Sequence, residues 1–363
     1  MQFHSLKISK IVSETTDAKT IYFEIPDQVQ SEYLYQAGQY LTIKCSINGT
    51  EIRRAYSIST PPHSKTIGVT VKKVPHGKMS VYLTEHIKEG DCLDVMTPEG
   101  HFKVVPDHLK SRDHYFIAAG SGITPVMSMI QHIVEEEPRS RCYLLYGSRN
   151  ENSIIFNDQL EFLQKKYEDQ IFVDHILSQP LERKTGGLSG VFGKKVIDWK
   201  GMKGRITTKT CKEFFLKHEP VNAEKHYYLC GPGDFIQKIE SFLLEQHVDK
   251  KTIHKEFFLS ASDAVTSDAG VSQANVQVRL KGETYDIVVP KGKTILDILV
   301  KEKKDPPYSC TSGACSTCMA KVTEGEVTMD SCYALDDDEI AAGYILTCQS
   351  HPITQRVVLT YDM

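Results

Sequence analysis

Apolar and polar residues alternate with a period of two over roughly the first hundred positions of this 363-residue chain. Turn signals such as Asn48-Gly49 and Pro61-Pro62 break the alternation at short intervals. Short alternating runs between frequent turns predict a small antiparallel barrel. The predicted strands are Lys7–Ser13, Lys19–Glu24, Tyr40–Ser46, Arg54–Ser59, Thr66–Val74 and Cys92–Met96, with one helix at Ser80–His86.

The pattern changes between residues 110 and 260, where apolar strands alternate with amphipathic helices. Such alternation predicts a parallel, doubly wound α/β sheet that binds its ligand at the carboxyl ends of the strands. The predicted strands are Tyr115–Ala118, Arg141–Tyr146, Ile171–Leu177 and Tyr227–Leu229. One predicted helix follows Pro125 and ends near Glu135. Two others span Ile154–Lys166 and Phe235–Gln246.

The last hundred residues begin with a segment, Ser260–Gln273, that has no periodicity and reads as a flexible tether. Two alternating strands, an apolar helix and two further strands follow it. These are Asn275–Leu280, Thr284–Val289, Ile295–Lys301, Lys321–Val327 and Val357–Tyr361. We therefore predict a multi-domain α+β chain with units at 1–108, 109–260 and 274–363, and a linker at 261–273.

Composition narrows the class of protein without naming a function. Hydrophobic residues make up 40% and charged residues 25% of the chain, which is ordinary for a globular protein. The net charge of −4 gives no indication of nucleic-acid binding, and no apolar run is long enough to span a membrane. The ten cysteines show no disulfide spacing, and the N-terminus lacks the apolar core of a secretion signal, so we expect a cytoplasmic protein.

Four cysteines near the C-terminus carry the clearest chemical signal. Cys310, Cys315 and Cys318 follow the spacing C-x4-C-x2-C, and 29 residues separate Cys318 from Cys348. Thiolates in this order are typical of a plant-type [2Fe–2S] cluster, and the small residues of the loop let its backbone approach the sulfides. The alternatives are four ordinary thiols or a structural zinc site, which more often uses two C-x2-C pairs. The loop resembles that of plant-type ferredoxins, and this resemblance, over about the last 90 residues, implies a β-grasp fold.

The barrel contains the string Arg54-Ala55-Tyr56-Ser57-Ile58. An arginine, an aromatic ring and a hydroxyl can pair a phosphate, stack on a flat ring and hydrogen-bond its edge. On the residues alone, an ordinary cross-strand contact is the simpler interpretation.

Preceded by Ala37-Gly38-Gln39-Tyr40, this string resembles the flavin motif of the ferredoxin–NADP reductase superfamily. The resemblance implies that Arg54 pairs the pyrophosphate of FAD, Tyr56 stacks on the isoalloxazine, and Ser57 bonds near flavin N5, with Ile58 beside them. A second family segment implies further cofactor contacts at Val71, Lys73, Gly77, Met79 and Ser80. Some members of the superfamily use FMN instead.

Gly120-Ser121-Gly122 opens the first helix of the α/β unit, and it is only half of the G-x-G-x-x-G pattern. The string resembles the NAD(P) loop of the same superfamily, which implies that Thr124 faces the nicotinamide. The next strand ends in Ser148 and Arg149, where an acidic residue would bind a ribose 2′-hydroxyl. Ser148 and Arg149 suit a 2′-phosphate, which favours NADPH over NADH. A solvated Arg149 is the alternative.

Two segments late in the α/β unit also resemble the superfamily. Cys230 and Gly231 match its nicotinamide-side segment, which implies that Cys230 helps to orient the nicotinamide ring. Glu256-Phe257-Phe258 resembles the Glu-x-Phe that ends this domain near the flavin, and Phe258 is the candidate there. A buried core cysteine and a core aromatic are the alternatives.

As a whole, the chain resembles the reductase components of multicomponent oxygenases, most closely those of phenylacetate degradation. The resemblance implies an oxidoreductase that takes a hydride from NADPH onto FAD and passes single electrons through [2Fe–2S] to a separate partner. That partner would be a diiron oxygenase, the phenylacetyl-CoA epoxidase. Alternatives are an NADH-linked reductase for a Rieske-type or steroid hydroxylase or a hybrid-cluster protein, a redox sensor, or a zinc-binding module. The oligomeric state stays open.

Overall fold

The first hundred residues form a six-stranded antiparallel sheet in the order β4-β3-β6-β1-β2-β5. An isolated bridge between Ile58 and Val69 joins the two outer strands, so the sheet closes into the predicted barrel. The elements are β1 (Phe3–Ser13), β2 (Ala18–Glu24), β3 (Tyr40–Ile47), β4 (Thr50–Ser57), β5 (Ile67–Lys72), α1 (Lys78–Glu85) and β6 (Cys92–Met96). The computed structural model describes residues 2–185, 194–258 and 270–362.

Strand β3 is buried on both of its faces over residues 40–43. Leu41 and Ile43 alternate into the apolar interior, as the period of two predicts. Tyr40 and Thr42 point to the opposite face and are nevertheless only 4% and 0% exposed. The outer face of β3 must therefore be covered by another part of the chain, and that part is the C-terminal domain.

The middle of the chain forms a six-stranded sheet in the order β12-β9-β8-β7-β13-β14, and every pairing in it is parallel. The chain moves outward from β7 in both directions, so a topological switch point lies between β7 and β13. The elements are β7 (Arg112–Ala119), α2 (Ile123–Glu136), β8 (Arg141–Ser148), α3 (Asn157–Lys166), β9 (Ile171–Leu177), β10 (Glu182–Thr185), β11 (Lys194–Ile197), β12 (Met202–Lys203), α4 (Thr208–Lys217), β13 (Glu224–Gly231), α5 (Gly233–Glu245) and β14 (Ile253–Phe257).

Helix α3 begins three residues later than the prediction of Ile154–Lys166. Phe156 has a left-handed backbone with φ of 63°, which cannot continue into a right-handed helix. Ile154 and Ile155 are buried in the core that β8 and α2 share, so their apolar character reflects the core and not a helix.

The C-terminal domain contains a five-stranded sheet in the order β16-β15-β21-β17-β19. β15 and β16 form an antiparallel hairpin, and β21 lies parallel to β15, which agrees with the predicted ferredoxin-like fold. The elements are β15 (Gln273–Leu280), β16 (Glu283–Pro290), α6 (Ile295–Lys301), β17 (Met319–Glu324), β18 (Val327–Met329), α7 (Asp337–Ala341), β19 (Tyr344–Leu346), β20 (Ser350–Pro352) and β21 (Arg356–Thr360).

Two details of this domain differ from the prediction. The predicted strand Lys321–Val327 is two strands, because Gly325 turns the chain with φ of 81° between them. The predicted tether Ser260–Gln273 lies mostly outside the described residues, and β15 already begins at Gln273. None of the helices formed by the described residues has the length and apolar character required to cross a membrane.

Helix α2 connects the barrel to the parallel sheet. The Ser128 hydroxyl donates to the carbonyl of Thr60 in the barrel at 2.6 Å. A side chain at Gly38 would collide with Met129 of α2 and with the carbonyl of Phe102, each at 2.3 Å. These contacts bring the barrel against the helix that starts at the Gly120 loop, so the flavin motif and the nucleotide loop share one cleft.

Candidate functional site

The four predicted cluster cysteines come together between β17, β19 and the loop before β17. Cys315, Cys318 and Cys348 are at most 6% exposed, and all four thiols are free of disulfides. They form two contacting pairs, Cys310 with Cys315 and Cys318 with Cys348. The hydrogen bond from Cys315, together with backbone donors, lowers the pKa of Cys310, and the same pairing raises the pKa of Cys315. Thiolate ligands in two pairs match a cluster of two irons.

The separation of the two pairs argues against a single zinc ion. Four thiolates around one zinc would have their sulfurs roughly 3.8 Å apart, given Zn–S bonds of about 2.3 Å. Within the described ranges, three or more ligand atoms lie mutually within 4.8 Å at His63, His132 and Glu136, and not at the cysteines. The cysteine arrangement therefore fits a wider group, as [2Fe–2S] is.

The loop that carries the cysteines has a fixed backbone. Gly313 has φ of 74°, and a Cβ there would lie 2.6 Å from the carbonyl oxygen of Ser331. The Gly313 carbonyl accepts hydrogen bonds from the N–H groups of Tyr333 and Ala334 at 3.0 and 3.1 Å. The Ser312 N–H donates to Cys310 Sγ at 3.5 Å, and the Gln349 amide donates to Cys348 Sγ at 3.6 Å. Donors to sulfur of this kind stabilise thiolates.

The flavin-motif residues lie at the end of β4, at the edge of the barrel that faces the parallel sheet. The Arg54 guanidinium donates to the carbonyl of Arg53 at 2.7 Å. Tyr56 packs against the apolar interior of the barrel, and burial raises the pKa of its hydroxyl above the ordinary value. Ser57 is 4% exposed, and its hydroxyl crosses the cleft to Glu256 Oε2 at 3.4 Å. Ile58 is fully buried.

The residues of the second flavin segment contact other residues of the chain, and these contacts stabilise the barrel and the start of α1. Val71 and Met79 belong to the barrel core. The Ser80 hydroxyl accepts from the Val74 N–H at 3.1 Å and donates to the Gly77 carbonyl at 3.2 Å, which fixes the start of α1. The Lys73 ammonium pairs with Glu85 at 2.9 Å on the surface.

The predicted nucleotide residues gather at the carboxyl edge of the parallel sheet. Gly120 follows β7, Ser148 ends β8, and Gly231 ends β13, and these three strands are neighbours in the sheet. A cavity of about 530 Å³ beside β9, lined among others by Asp174, Trp199 and Lys217, contains none of the predicted site residues. The candidate site is the cleft at the switch point and not this cavity.

The two glycines of the loop have different roles. Gly120 has φ of 59°, and a Cβ at this position would meet no atom within 4 Å, so its carbon faces open space. A Cβ at Gly122 would lie 2.2 Å from the carbonyl oxygen of Cys230. Gly122 therefore permits close packing of the loop on β13, while Gly120 borders open space.

Tyr146 of β8 supports the nucleotide loop, a role that the sequence did not reveal. Its hydroxyl donates to the Gly120 carbonyl at 3.0 Å and accepts from the Ile155 N–H at 3.3 Å. The Tyr146 side chain is fully buried, so it holds the Gly120 loop from the core side. An aromatic residue in an apolar strand carries no signal that would distinguish this role from ordinary core packing.

Ser148 ends β8, and Arg149 follows it at the carboxyl edge of the parallel sheet. The Ser148 hydroxyl is buried, lies near Tyr146, and has no partner in hydrogen-bond geometry among the described residues. Arg149 is exposed, and its backbone accepts from the Gln179 N–H. The Glu151 carboxylate is occupied by the Leu181 N–H at 2.9 Å. The Thr124 hydroxyl donates to the Ser121 carbonyl at 3.0 Å, within the loop that opens α2.

Glu256 is the second residue that the sequence reasoning missed. Its Oε2 lies 3.4 Å from Ser57 Oγ and 4.0 Å from Cys230 Sγ, so both groups direct their hydrogens at one carboxylate oxygen. Removal from water in the cleft raises the pKa of Glu256 to about 8, and burial raises that of the Cys230 thiol. The Phe258 N–H donates to the Gly231 carbonyl at 2.8 Å. The Phe258 ring is partly buried against the core that α2 shares with the parallel sheet. The acidic residue in the apolar string Glu256-Phe257-Phe258 was the available signal.

A barrel with a flavin motif, a parallel sheet with a nucleotide loop and a four-thiol ferredoxin domain define a class. The class is that of flavin-dependent reductases that pass electrons from a pyridine nucleotide to a [2Fe–2S] centre.

Comparison with known families supports each part of this class. Residues 5–104 match the oxidoreductase FAD-binding domain, residues 116–241 the oxidoreductase NAD-binding domain, and residues 278–352 the 2Fe-2S iron-sulfur cluster binding domain. The chain is 35% identical to a component of the 1,2-phenylacetyl-CoA epoxidase of Escherichia coli (strain K12), over 99% of this chain and 98% of that one. It is 31% identical to the ferredoxin reductase component of 3-ketosteroid-9-alpha-monooxygenase from Rhodococcus rhodochrous, over 98% and 96%.

Solved structures agree on the fold. The match to phthalate dioxygenase reductase spans 99% of this chain and 98% of that reductase, with a TM-score of 0.59 and 24% identity. An intact type IV self-sufficient cytochrome P450 monooxygenase gives a TM-score of 0.68 at 22% identity, where the match spans 98% of this chain and 41% of that longer one. The chain belongs to the family of FAD- and [2Fe–2S]-containing reductase components of oxygenase systems.

Proposed function

We propose that this protein takes electrons from NADPH and delivers them singly to a separate diiron oxygenase of the phenylacetyl-CoA epoxidase type. The observation that carries the proposal is the meeting of Ser57, Cys230 and Glu256 in one cleft, where the barrel contacts the carboxyl edge of the parallel sheet. When bound, FAD supplies hydride acceptance and one-electron release, and the [2Fe–2S] cluster supplies one-electron storage.

In this proposal the residues of the chain bind and orient the cofactors. Arg54, Gly77 and Ser80 serve the flavin phosphates, with Val71, Lys73 and Met79 forming the wall of that site. Tyr56 lies along the ring, and Ile58 and Phe258 close the site. Gly120, Gly122 and Gly231 let the nucleotide approach the backbone. Cys310, Cys315, Cys318 and Cys348 are the cluster ligands, and the units span 1–108, 109–260 and 274–363, with 261–273 between them.

Ser57, Cys230 and Glu256 control the charge of the nicotinamide side. Because its pKa lies at about 8, the carboxyl of Glu256 holds a proton at neutral pH. A protonated carboxyl keeps an uncompensated negative charge out of the place where a hydride departs. Thr124 borders the same place and keeps the loop compact through its bond to Ser121.

The order of the electron path is tested by Cys315→Ser in stopped-flow absorbance. We expect this variant to lose the visible absorbance of the cluster and to retain bleaching of the flavin by NADPH at the wild-type rate. Cys92→Ser, an exposed thiol remote from the ligand set, is the matched control and should change neither signal. Absence of flavin bleaching in the wild-type protein, or of bound iron, contradicts the proposal.

The nucleotide preference depends on the exposed guanidinium of Arg149 at the end of β8. We expect Arg149→Ala to raise the KM for NADPH roughly tenfold, the value of one charge-assisted phosphate contact, and to leave the KM for NADH unchanged. Arg139→Ala is the matched control, because Arg139 is exposed and lies in the turn before β8, at the end of the sheet opposite Arg149. Equal losses with both nucleotides would refute the 2′-phosphate assignment.

The acceptor is tested by reconstitution with purified oxygenase components. We expect product formation with a diiron phenylacetyl-CoA epoxidase component and faster turnover than with a 3-ketosteroid 9α-hydroxylase component. The second candidate is included because the Rhodococcus relative is also similar over the full length. Faster turnover with the steroid hydroxylase would reverse the choice.

All ten cysteines are free, which agrees with a reducing compartment, and we propose the cytoplasm.

A further inference from the structure

We propose that Tyr40 and Thr317 are positioning residues that hold the cysteine loop against the flavin-binding strands and thereby set the rate of electron transfer from flavin to cluster. The inference rests on the proposed function and extends it to the junction between two domains. We call the hydrogen-bonded side chains Tyr40, Thr42, Glu99, Ser309 and Thr317 the hydroxyl seam.

The hydroxyl seam joins positions about 270 residues apart by direct side-chain bonds. Tyr40 Oη lies 2.8 Å from Thr317 Oγ1, and the Thr317 hydroxyl lies 3.3 Å from Glu99 Oε2. The Thr317 hydroxyl has one hydrogen, which goes to the carboxylate, so the Tyr40 hydroxyl donates to Thr317. Alongside, the Thr42 hydroxyl donates to Ser309 Oγ at 2.8 Å.

Burial makes these bonds costly to break. Tyr40, Thr42, Ser309 and Thr317 are between 0% and 4% exposed. A hydroxyl that loses its only partner in such a place cannot recover a bond to water without separating the two surfaces. Each bond in the seam therefore favours one relative placement of the cysteine loop and β3.

The seam lies between the residues of the two redox sites. On one side, Tyr40 is the cross-strand partner of Ser57, the flavin-motif residue that faces Glu256. On the other side, Thr317 stands between the ligands Cys315 and Cys318, and Ser309 immediately precedes the ligand Cys310. Displacement of the seam would move the cysteines away from the strand pair that carries the flavin motif.

The character of the contact also suggests how the domain is held. The outer face of β3 offers hydroxyls to the loop, while its inner face offers Leu41 and Ile43 to the barrel core. A polar contact between domains permits separation more readily than an apolar one. Hydrogen bonds are directional, so they favour one orientation of the C-terminal domain on β3 and still allow the domain to separate from the barrel.

The test is Thr317→Val, which keeps the shape of the side chain and removes the hydroxyl, studied in the full-length holoenzyme. We expect flavin bleaching by NADPH at the wild-type rate, and cluster reduction at least roughly fivefold slower, as the loss of a buried hydrogen bond implies. Thr317→Ser should restore the wild-type rate because it restores the hydroxyl. Thr323→Val, at an exposed threonine of the same domain, is the matched control.

A second measurement is independent of turnover. Hydrogen exchange followed by mass spectrometry should show faster exchange in peptides that cover β3 and residues 309–317 in Thr317→Val and in Tyr40→Phe. Exchange in β8 and β13 should stay the same. The cluster potential is measured by redox titration alongside, because the Thr317 hydroxyl also reaches Cys315. Tyr40→Phe removes no partner of a ligand thiol, so it should slow cluster reduction with the potential unchanged.

The proposed function and the positioning role fail separately. If NADPH does not bleach the flavin of the wild-type protein, the proposed function is wrong. If bleaching is normal but Thr317→Val reduces its cluster as fast as wild type and exchanges no faster, Tyr40 and Thr317 are not positioning residues. Loss of the rate in Thr317→Val without rescue by Thr317→Ser would equally overturn the inference.

Discussion

At the scale of single residues, the cleft is organised around one carboxyl group. Glu256 comes from β14 and lies opposite Cys230 in the pairing of β13 with β14, while Ser57 comes from the barrel 199 residues earlier. Neither neighbour carries a positive charge, so removal from water determines the state of the carboxyl. The result is a neutral pocket at neutral pH that becomes anionic as the pH rises above 8.

This arrangement predicts a pH dependence of stability that Glu256→Gln removes. The folded pKa of about 8 exceeds the ordinary value of 4.5, so between these values the native protein holds a proton that the unfolded chain has lost. The contribution of Glu256 is therefore lost as the pH rises. We expect the free energy of unfolding in urea to fall by roughly 2 kcal/mol more in wild type than in Glu256→Gln between pH 6 and 8.

The control for this prediction is Glu245→Gln, at an exposed carboxylate of the same domain, which should behave as wild type. An identical pH profile for wild type and Glu256→Gln would show that the carboxyl is ionised in the folded protein. The hydroxyl of Ser57 would then be donating to a charge, and the pocket would not be neutral.

At the scale of elements, the sequence predicted those strands and helices whose bounds depend on the local pattern of residues. The bounds of Ile171–Leu177 and Ile295–Lys301 are the same in prediction and structure, because an apolar strand between turns and a capped helix are local features. The start of α3 was wrong, because the left-handed Phe156 depends on the core around it. The cysteine spacing indicated the cluster loop, whereas Glu256, Tyr146 and the hydroxyl seam depend on long-range packing and were missed.

The nucleotide loop provides the element-scale prediction, since its two glycines differ in what surrounds them. Gly122→Ala places a methyl group 2.2 Å from the carbonyl of Cys230, so we expect a loss of roughly 3 kcal/mol in unfolding free energy. Gly120→Ala meets open space and bears only the left-handed backbone cost of about 1 kcal/mol. Thermal unfolding checks the order of the two variants.

The same pair separates packing from binding. Gly120→Ala should weaken NADPH binding although it is the milder variant for stability, because its new methyl group faces the open space in which we propose that the nucleotide binds. A Gly120→Ala protein that binds NADPH as tightly as wild type would place the nucleotide elsewhere. A Gly122→Ala protein as stable as wild type would mean that the loop moves freely away from β13.

At the scale of the whole molecule, the C-terminal domain contacts both other domains, through ion pairs as well as through the hydroxyl seam. Arg53 of β4 pairs with Asp305 at 3.4 Å, and its guanidinium lies 4.3 Å from the ring of Tyr308. Lys250 of the parallel-sheet domain pairs with Asp337 at 2.8 Å. The acidic run that starts at Asp336 is thus the capped start of α7 and also an internal contact, which reduces the charge it could offer to an acceptor.

The two ion pairs should contribute unequally to docking, because they differ in exposure. The Arg53 side chain is 10% exposed and contacts two aromatic rings, so Arg53→Ala removes an ion pair and stacking that together stabilise the contact by roughly 2 kcal/mol. We expect this variant to slow cluster reduction severalfold and to leave flavin bleaching unchanged. Lys250→Ala removes a pair whose side chains are 56% and 87% exposed, and high salt already screens such a pair.

Stopped-flow rates at low and high salt distinguish these cases, with Arg53→Lys as a third variant. Lysine keeps the charge but loses the planar group that lies on Tyr308, so it should recover only part of the rate. Full recovery by Arg53→Lys would mean that charge alone holds this edge of the domain. A larger effect of Lys250→Ala than of Arg53→Ala would mean that the domain is held chiefly against the parallel sheet. The hydroxyl seam would then follow the docking and would not direct it.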